Sequence, residues 1–281
     1  MPGILVSPEE LAGHLDDPDW VVFDTRHDLG DVEKGRRAYA AGHVPGAYFM
    51  HLDEDLSSPK TGKNGRHPLP GLAEFAERMN ASGVAPRTQV VIYDDAGGSL
   101  AARLWWLLRW LGKDSVALLD GGFAAWQQEG RPVSQEVPAP RKGNFVPKPH
   151  LGWTVDAPFL ERFHDDAAVR LLDARAAERF AGTQEPIDPV AGHVPGAINR
   201  FWKDNLASDG RFKPAATLRG EFETLLAGAA PSQSVNMCGS GVTACHNIFA
   251  MELAGLPGAR LYPGSWSEWC ADSTRPVATN S

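Results

Sequence analysis

The sequence predicts an α/β fold made of two similar domains, each a mainly parallel sheet flanked by helices. Short apolar runs that suit buried strands alternate with helical patterns along the chain. The segment Gly42–Ala47 recurs as Gly192–Ala197, 150 residues later. Because neighbouring elements recur in the same order, we interpret the repeat as an internal duplication and not as a solenoid of short repeats.

The first half begins with a predicted helix at Ser7, where the serine can cap the helix and Pro8 suits its first turn. Apolar runs then predict three strands, at Val21–Asp24, Val90–Tyr93 and Val116–Leu119. Helical patterns cover residues 71–82 and 99–111, and Gly112 ends the second of these helices. These elements give one α/β domain.

The second half repeats this order. Leu171–Asp173 corresponds to Phe23–Asp24, and Gly264–Trp269 corresponds to Gly121–Trp126 at an offset of 143 residues. A proline-rich, basic stretch without clear periodicity separates the halves. We therefore predict domains at 1–135 and 152–281, joined by a linker at 136–151. The histidines of the repeated segment, His43 and His193, occur in both halves, which favours a folding role for them over a catalytic one.

Composition narrows the classes of function. The chain has 281 residues and a net charge of −8, which argues against nucleic acid as a partner. Its N-terminus shows no signal peptide and no apolar run approaches the length of a membrane span. Its three cysteines make no disulfide framework. We expect a cytoplasmic protein without a membrane anchor, in which Cys245 and Cys270 serve packing.

One cysteine, Cys238, lies between a predicted strand and a predicted helix. The strand is Val235–Met237, and helical spacing begins near Cys245. Gly239 and Gly241 let the backbone curl so that successive N–H groups face the sulfur, and the helix start also favours negative charge. Such surroundings stabilise a thiolate, and they suit a persulfide equally well because it is also an anion.

The loop Cys238–Thr243 closely resembles the active-site loop of 3-mercaptopyruvate sulfurtransferases in the rhodanese superfamily, and the tandem arrangement extends the resemblance over nearly the whole chain. The resemblance implies a sulfurtransferase that moves sulfane sulfur from 3-mercaptopyruvate to a thiol or cyanide through a Cys238 persulfide. A thioredoxin-like protein would suit as the thiol acceptor. We expect neither a cofactor nor a metal, because no Cys/His cluster has ligand spacing.

Alignment of the halves places Asp94 opposite Cys238, so the first domain should be catalytically inactive. The same resemblance implies that the first half contributes Asp53 and His67, which match an aspartate and a histidine of the family. With Ser240 they would form a group similar to a protease triad beside Cys238.

Substrate binding is also carried over from the resemblance. Arg179 matches a substrate-binding arginine, whose fork of donors suits a carboxylate. Relatives have a second arginine where this chain has Ile187, so either another basic residue such as Arg66 compensates or the preferred donor is not 3-mercaptopyruvate. Charge on the transferred sulfur would be stabilised by the loop N–H groups of Gly239, Gly241, Val242 and Thr243.

Three alternatives stay open. Thiosulfate could be the preferred donor, although the residues after Cys238 carry no positive charge, which disfavours a dianion. A phosphatase of the Cys-x5-Arg type would need an arginine at position 244, where the chain has Ala244. A non-enzymatic sulfur-sensing module would share the fold, but the intact cysteine loop argues against it.

Overall fold

The computed structural model describes residues 3–164, 166 and 168–280, and they form two units. The first unit comprises Met1–Ser58, Leu69–His150 and Ser208–Arg211. The second comprises Pro59–Pro68, Leu151–Ala207 and Phe212–Ser281. Each unit contains one parallel sheet with helices, so the predicted α/β class is confirmed. Within the described residues, no helix has the length and apolar character needed to cross a membrane.

The first unit has a five-stranded sheet. Its strands are β1 (Leu5–Val6), β2 (Trp20–Asp24), β3 (Tyr48–Phe49), β4 (Gln89–Tyr93) and β5 (Val116–Leu119), in the order β1-β5-β4-β2-β3. Its helices are α1 (Pro8–Ala12), α2 (Lys34–Ala41), α3 (Leu72–Ala81), α4 (Ala101–Trp110) and α5 (Gly122–Gln128). The three strands and the two long helices predicted for this half are confirmed within two residues at each end.

The second unit repeats this topology. Its strands are β6 (Arg170–Asp173), β7 (Ile198–Asn199), β8 (Ser234–Met237) and β9 (Arg260–Leu261), in the order β7-β6-β8-β9. Its helices are α6 (Ala157–Phe163), α7 (Ala177–Ala181), α8 (Ala215–Leu226), α9 (Ala244–Leu253) and α10 (Ser265–Trp269), with 3₁₀ turns at Trp202–Asn205 and Pro231–Gln233. A parallel bridge between Thr154 and Leu261 takes the place that β1 has beside β5.

The sequence patterns explain the main elements. The central strand β4 is buried along its whole length, as expected for a parallel sheet covered on both faces, and it reads as a continuous apolar run. The N–H of Glu10 donates to Ser7 Oγ at 3.1 Å, so Ser7 caps α1 as predicted. Both sheets present the carboxyl ends of their central strands, β4 and β8, to a loop that leads into a buried helix.

A buried ion pair recurs in both units. In the first unit Arg26 Nη2 lies 2.6 Å from Asp24 Oδ2 and donates to the Gly42 carbonyl at 2.7 Å. The second unit repeats the pair and the carbonyl contact with Asp173, Arg175 and Gly192. The arginine thereby ties the end of a strand to the repeated Gly-His-Val-Pro-Gly-Ala segment. Arg175 therefore serves the fold in the same way as Arg26.

The histidines of the repeated segment also behave alike. His43 Nδ1 donates to the Tyr39 carbonyl at 2.8 Å, and the two rings stack with centroids 3.8 Å apart. His193 Nδ1 donates to the Phe180 carbonyl at 2.8 Å and stacks on that ring at 3.9 Å. Both side chains are engaged in packing, which agrees with the predicted folding role.

Of the stretch predicted as a linker, 136–151, residues 136–150 belong to the first unit. For example, the Arg141 N–H donates to the Ala81 carbonyl at 2.8 Å. The predicted domain limits, 1–135 and 152–281, remain predictions, and the first two residues and the last lie outside the described part of the chain.

Lys113, just beyond α4, is a buried lysine. It is 2% exposed, and its Nζ donates to the Pro86 carbonyl at 3.2 Å. Burial lowers the pKa of Lys113 from 10.5 to about 8, against the opposing attraction of Asp114. The ammonium form is therefore destabilised in the folded state, and at neutral pH this costs stability.

We expect K113M to raise the free energy of unfolding at pH 7 by about 1–3 kcal/mol, because it removes the buried charge. Between pH 8 and 10.5 the unfolded chain holds more protons at Lys113 than the folded chain, so the wild type gains stability and the advantage of K113M shrinks. Urea denaturation at several pH values measures this, with K142M at an exposed lysine as the control. An advantage that stays constant from pH 7 to 10.5 would contradict the account.

Candidate active site

Cys238 directly follows β8, and the loop it opens leads into α9, so the predicted strand–loop–helix setting is confirmed. The loop turns at Gly241, which has φ +75°. A Cβ at this position would lie 2.3 Å from the Pro263 carbonyl oxygen. Only glycine fits here, because both the backbone conformation and the close approach of Pro263 exclude a side chain.

Three hydrogen bonds hold Cys238. Its N–H donates to Ser265 Oγ at 3.1 Å, and its carbonyl accepts from the Trp266 N–H at 2.9 Å. Its Sγ accepts from the Gly241 N–H at 3.2 Å. The residue is 2% exposed. A backbone amide is thus aimed at the sulfur, while the parts assigned to the N–H groups of Gly239, Val242 and Thr243 stay predictions.

The first unit has the same loop with a carboxylate in place of the thiol. Asp94 follows β4, and its carbonyl accepts from the Phe123 N–H at 2.8 Å, as Cys238 does from Trp266. The Asp94 carboxylate accepts four backbone N–H groups at 2.8–2.9 Å, those of Ala96, Gly98, Leu100 and Ala101. This loop and helix start therefore bind an anionic group attached to the residue at the strand end.

Ser240 and His67 are brought together. Ser240 Oγ lies 2.7 Å from His67 Nδ1, and the two residues are 5% and 3% exposed. Ser240 belongs to the cysteine loop, whereas His67 belongs to the segment Pro59–Pro68, which is part of the second unit. At Gly65 this segment packs closely against the backbone of Gly264. A Cβ at position 65 would lie 2.8 Å from the Gly264 carbonyl oxygen.

Two arginines converge on Gly239, the residue after Cys238. A Cβ at position 239 would lie 2.7 Å from Arg66 Nη2 and 3.5 Å from Arg179 Nη1. The Arg66 N–H also donates to Ser267 Oγ at 3.0 Å, which fixes the start of its side chain. The structure thus brings both predicted substrate-binding arginines to the cysteine loop, and Arg66 reaches it from a distant part of the sequence.

The acids that hold these arginines were not predicted from the sequence. Arg179 Nη2 lies 2.8 Å from Glu185 Oε1 and 3.0 Å from Asp188 Oδ2, and Arg66 also pairs with Asp188. Burial acts to raise the pKa of Glu185, but hydrogen bonds, first that from Arg179, bring it below its usual value. The signal available in the sequence was two acids within nine residues after a candidate arginine.

Asp53 belongs to the first unit. Its Oδ2 lies 3.8 Å from His27 Nε2, and its N–H donates to His51 Nδ1 at 3.2 Å. The catalytic role assigned to Asp53 stays a prediction.

His27, His51 and Asp53 bring potential metal ligands within 4.8 Å of one another, a grouping that sequence analysis did not find. His51 fits a ligand poorly, because Nδ1 accepts from two backbone N–H groups and Nε2 donates to the Val32 carbonyl at 3.0 Å.

The other cysteines are buried. Cys245 Sγ donates to the Gly241 carbonyl at 3.3 Å, within the first turn of α9. Burial raises the pKa of the Cys270 thiol to about 11, so this residue stays a thiol at neutral pH. Both side chains are buried, which agrees with the expected packing role.

The amide loop around Asp94 can be tested by stability. We expect D94N to lower the free energy of unfolding by about 2–3 kcal/mol, because an amide –NH₂ would face backbone donors that now bind a carboxylate oxygen. D16N, at an exposed aspartate away from this loop, should change it by less than about 0.5 kcal/mol. Equal effects of the two substitutions in urea denaturation would show that the loop does not need an anion.

The comparisons with known proteins agree with this geometry. The sequence profile of the rhodanese-like domain matches residues 7–129 and 156–272. Over 277 residues the chain is 50% identical to a probable 3-mercaptopyruvate sulfurtransferase of Pseudomonas aeruginosa, covering 98% of both chains. It is 39% identical to a putative thiosulfate sulfurtransferase of Mycobacterium tuberculosis, covering 98% of this chain and 96% of that one.

A solved structure gives the same result. The 3-mercaptopyruvate sulfurtransferase from Leishmania major is similar with a TM-score of 0.86 and 32% identity, covering 98% of this chain and 76% of that one. The profile match extends over most of the chain and occurs twice, once in each half. The chain therefore belongs to the rhodanese family and carries two rhodanese-like domains in tandem.

Proposed function

We propose that this chain is a sulfurtransferase that moves sulfane sulfur from 3-mercaptopyruvate to a thiol or to cyanide through a persulfide on Cys238. The observation that carries the proposal is the position of Cys238 Sγ, which accepts a hydrogen bond from the Gly241 N–H at 3.2 Å where the loop enters α9. The relative from Pseudomonas aeruginosa, at 50% identity, is named a probable 3-mercaptopyruvate sulfurtransferase, and one from Homo sapiens, at 36% identity, is named a 3-mercaptopyruvate sulfurtransferase.

The first unit supports the persulfide by analogy. The Asp94 oxygens that accept backbone N–H groups lie one bond beyond the atom that corresponds to Sγ of Cys238. A sulfur bonded to Sγ would extend the side chain by the same one bond. Its negative charge would then face the loop amides, to which we assign the N–H groups of Gly239, Gly241, Val242 and Thr243.

Two guanidiniums support a donor with a carboxylate. Arg66 and Arg179 both lie against Gly239, next to the nucleophile, through Arg66 Nη2 and Arg179 Nη1. Glu185 and Asp188 accept from Nε and Nη2 of Arg179, and Asp188 accepts from Nη1 of Arg66, so Arg179 would offer Nη1 and Arg66 would offer Nη2 to the carboxylate. Arg66 would supply the charge-assisted contact that is missing at Ile187, which is worth about 1.5–3 kcal/mol. The carboxylate of 3-mercaptopyruvate bound there would bring its sulfur towards Cys238.

The transfer step balances without a cofactor. The Cys238 thiolate attacks the donor sulfur, an S–S bond forms, and the C–S bond of 3-mercaptopyruvate breaks. The electron pair of that bond passes to the carbon, which gives the enolate of pyruvate. The proton of the donor thiol passes to this carbon, so the products are pyruvate and the Cys238 persulfide anion.

Ser240 and His67 are suited to assist this proton transfer. Their side chains lie 2.7 Å apart, and both are buried, so the proton can pass between them without exchange with bulk water.

A nucleophilic acceptor completes the cycle. A thiolate or cyanide attacks the outer sulfur, and Cys238 leaves as the thiolate, which gives ping-pong kinetics. A thioredoxin-like dithiol is the proposed protein acceptor. The need to keep Cys238 reduced between turnovers favours a reducing compartment such as the cytoplasm.

Thiosulfate is the second candidate donor. The relative from Mycobacterium tuberculosis is named a putative thiosulfate sulfurtransferase, and two arginines beside Gly239 give the loop more positive charge than its own residues do. The loop residues Gly239 and Ser240 are neutral, and acids bind both arginines, which favours the monoanionic donor.

The persulfide is tested by mass spectrometry. After incubation with 3-mercaptopyruvate, we expect the wild type to gain one sulfur on the peptide that contains Cys238, and C238S to gain none and to lose turnover. C270S, at a buried cysteine outside the loop, serves as the control and should keep the added sulfur. Turnover that persists in C238S would end the proposal.

The proton relay is tested by comparing donors. We expect S240A to lower kcat for 3-mercaptopyruvate about 100-fold, because this donor needs a proton at carbon, and to lower thiosulfate turnover far less. S273A, at an exposed serine, provides the control. Equal losses with both donors would contradict the relay.

A further inference from the structure

The guanidiniums of Arg66 and Arg179 share one acid, Asp188. This residue is 8% exposed, and its carboxylate pairs with Arg66 through Oδ1 and with Arg179 through Oδ2, the latter at 3.0 Å. Its own N–H donates to Glu185 Oε1 at 3.0 Å, which fixes its position. One buried carboxylate therefore lies against both cations that we assign to the donor.

The surrounding charges cancel. Besides Asp188 with its two arginines, Arg175 pairs with Asp173 at 2.8 Å and lies 3.4 Å from Glu185. The cluster thus contains three guanidiniums and three carboxylates, those of Arg66, Arg175, Arg179, Asp173, Glu185 and Asp188. When all six are ionised the net charge is zero, and removal of any one acid would leave a net positive charge.

Burial raises the pKa of the Asp188 carboxyl, and the attraction of Arg66 opposes this change. The ionised carboxylate is the form that can accept from both guanidiniums through its two oxygens. The burial of the cluster also lowers the local dielectric, so a single charge there has a larger effect on a bound anion than it would have in water.

On this basis, which rests on the proposed function, we propose that Asp188 selects the sulfur donor by charge. It offsets one positive charge of the Arg66–Arg179 pair, so the site accepts a monoanionic 2-oxo acid such as 3-mercaptopyruvate and disfavours a dianion such as thiosulfate. The Asp188 carboxylate repels each negative charge of a bound anion. A dianion has one more such charge than a monoanion, so this repulsion weakens its binding more.

The test uses D188N, which keeps the shape of the side chain and removes its charge. Cys238 is alkylated with neutral iodoacetamide, at constant ionic strength, in the presence of pyruvate as a monoanion or sulfate as a dianion, neither of which donates sulfur. We expect sulfate to protect Cys238 at about tenfold lower concentration in D188N than in the wild type, with a smaller change for pyruvate. The ratio of kcat/KM for thiosulfate to that for 3-mercaptopyruvate should rise about as much.

Two further variants complete the design. R66Q removes a positive charge from the same pair. It should weaken protection by sulfate more than protection by pyruvate, and it should lower the ratio of kcat/KM for thiosulfate to that for 3-mercaptopyruvate. D204N removes an exposed carboxylate of the second unit outside the cluster. It should leave the protecting concentrations of sulfate and pyruvate and the ratio of kcat/KM values unchanged. R66Q also decides the question if D188N does not fold.

Each outcome has one meaning. Equal changes for the monoanion and the dianion in D188N, or in R66Q, would overturn charge selection and leave Asp188 as a residue that only orients the arginines. A wild type that forms no Cys238 persulfide with either donor would refute the proposed function. The protection experiment needs no sulfur transfer, so it decides the role of Asp188 in that case too.

Discussion

Hydrogen bonds from backbone amides to the side chain at the end of a central strand, where a helix begins, are the interaction that both halves of this protein share. In the first unit four of these amides donate hydrogen bonds to the Asp94 carboxylate. In the second unit the same backbone holds Cys238, whose side chain is one atom shorter, and the Gly241 N–H faces its sulfur. The same backbone thus serves structure in one half and, we propose, chemistry in the other.

The second unit connects this loop to the fold through buried charge. Arg175 pairs with Asp173 at the end of β6 and also contacts Glu185, which in turn holds Arg179. The first unit has the corresponding pair, Asp24 and Arg26, as part of its fold. Because loss of one partner from a buried pair costs about 3–5 kcal/mol, the arginines and acids near Cys238 are constrained by folding as well as by binding.

Much of this could be predicted from the sequence, since the relevant signals are local. Strand periodicity, the repeated segment and the glycines around Cys238 gave the topology and the setting of the sulfur. His67 and Arg66 required the resemblance to a family, because no local pattern shows that a loop from the first half of the chain packs in the second unit. Asp188 was missed because its pairing with Arg66, which is distant in sequence, is a property of tertiary structure.

The short segment Pro59–Pro68, which follows β3 and yet belongs to the second unit, has a consequence for how the protein could be divided or reshuffled. A fragment that starts near residue 152 would have its own sheet and its cysteine but would lack both His67 and Arg66. The two halves that arose by duplication are thus no longer interchangeable modules. Recombination at the midpoint of the gene would separate Cys238 from Arg66 and His67. Because such recombinants would lack these side chains, we expect the two domains to be inherited together.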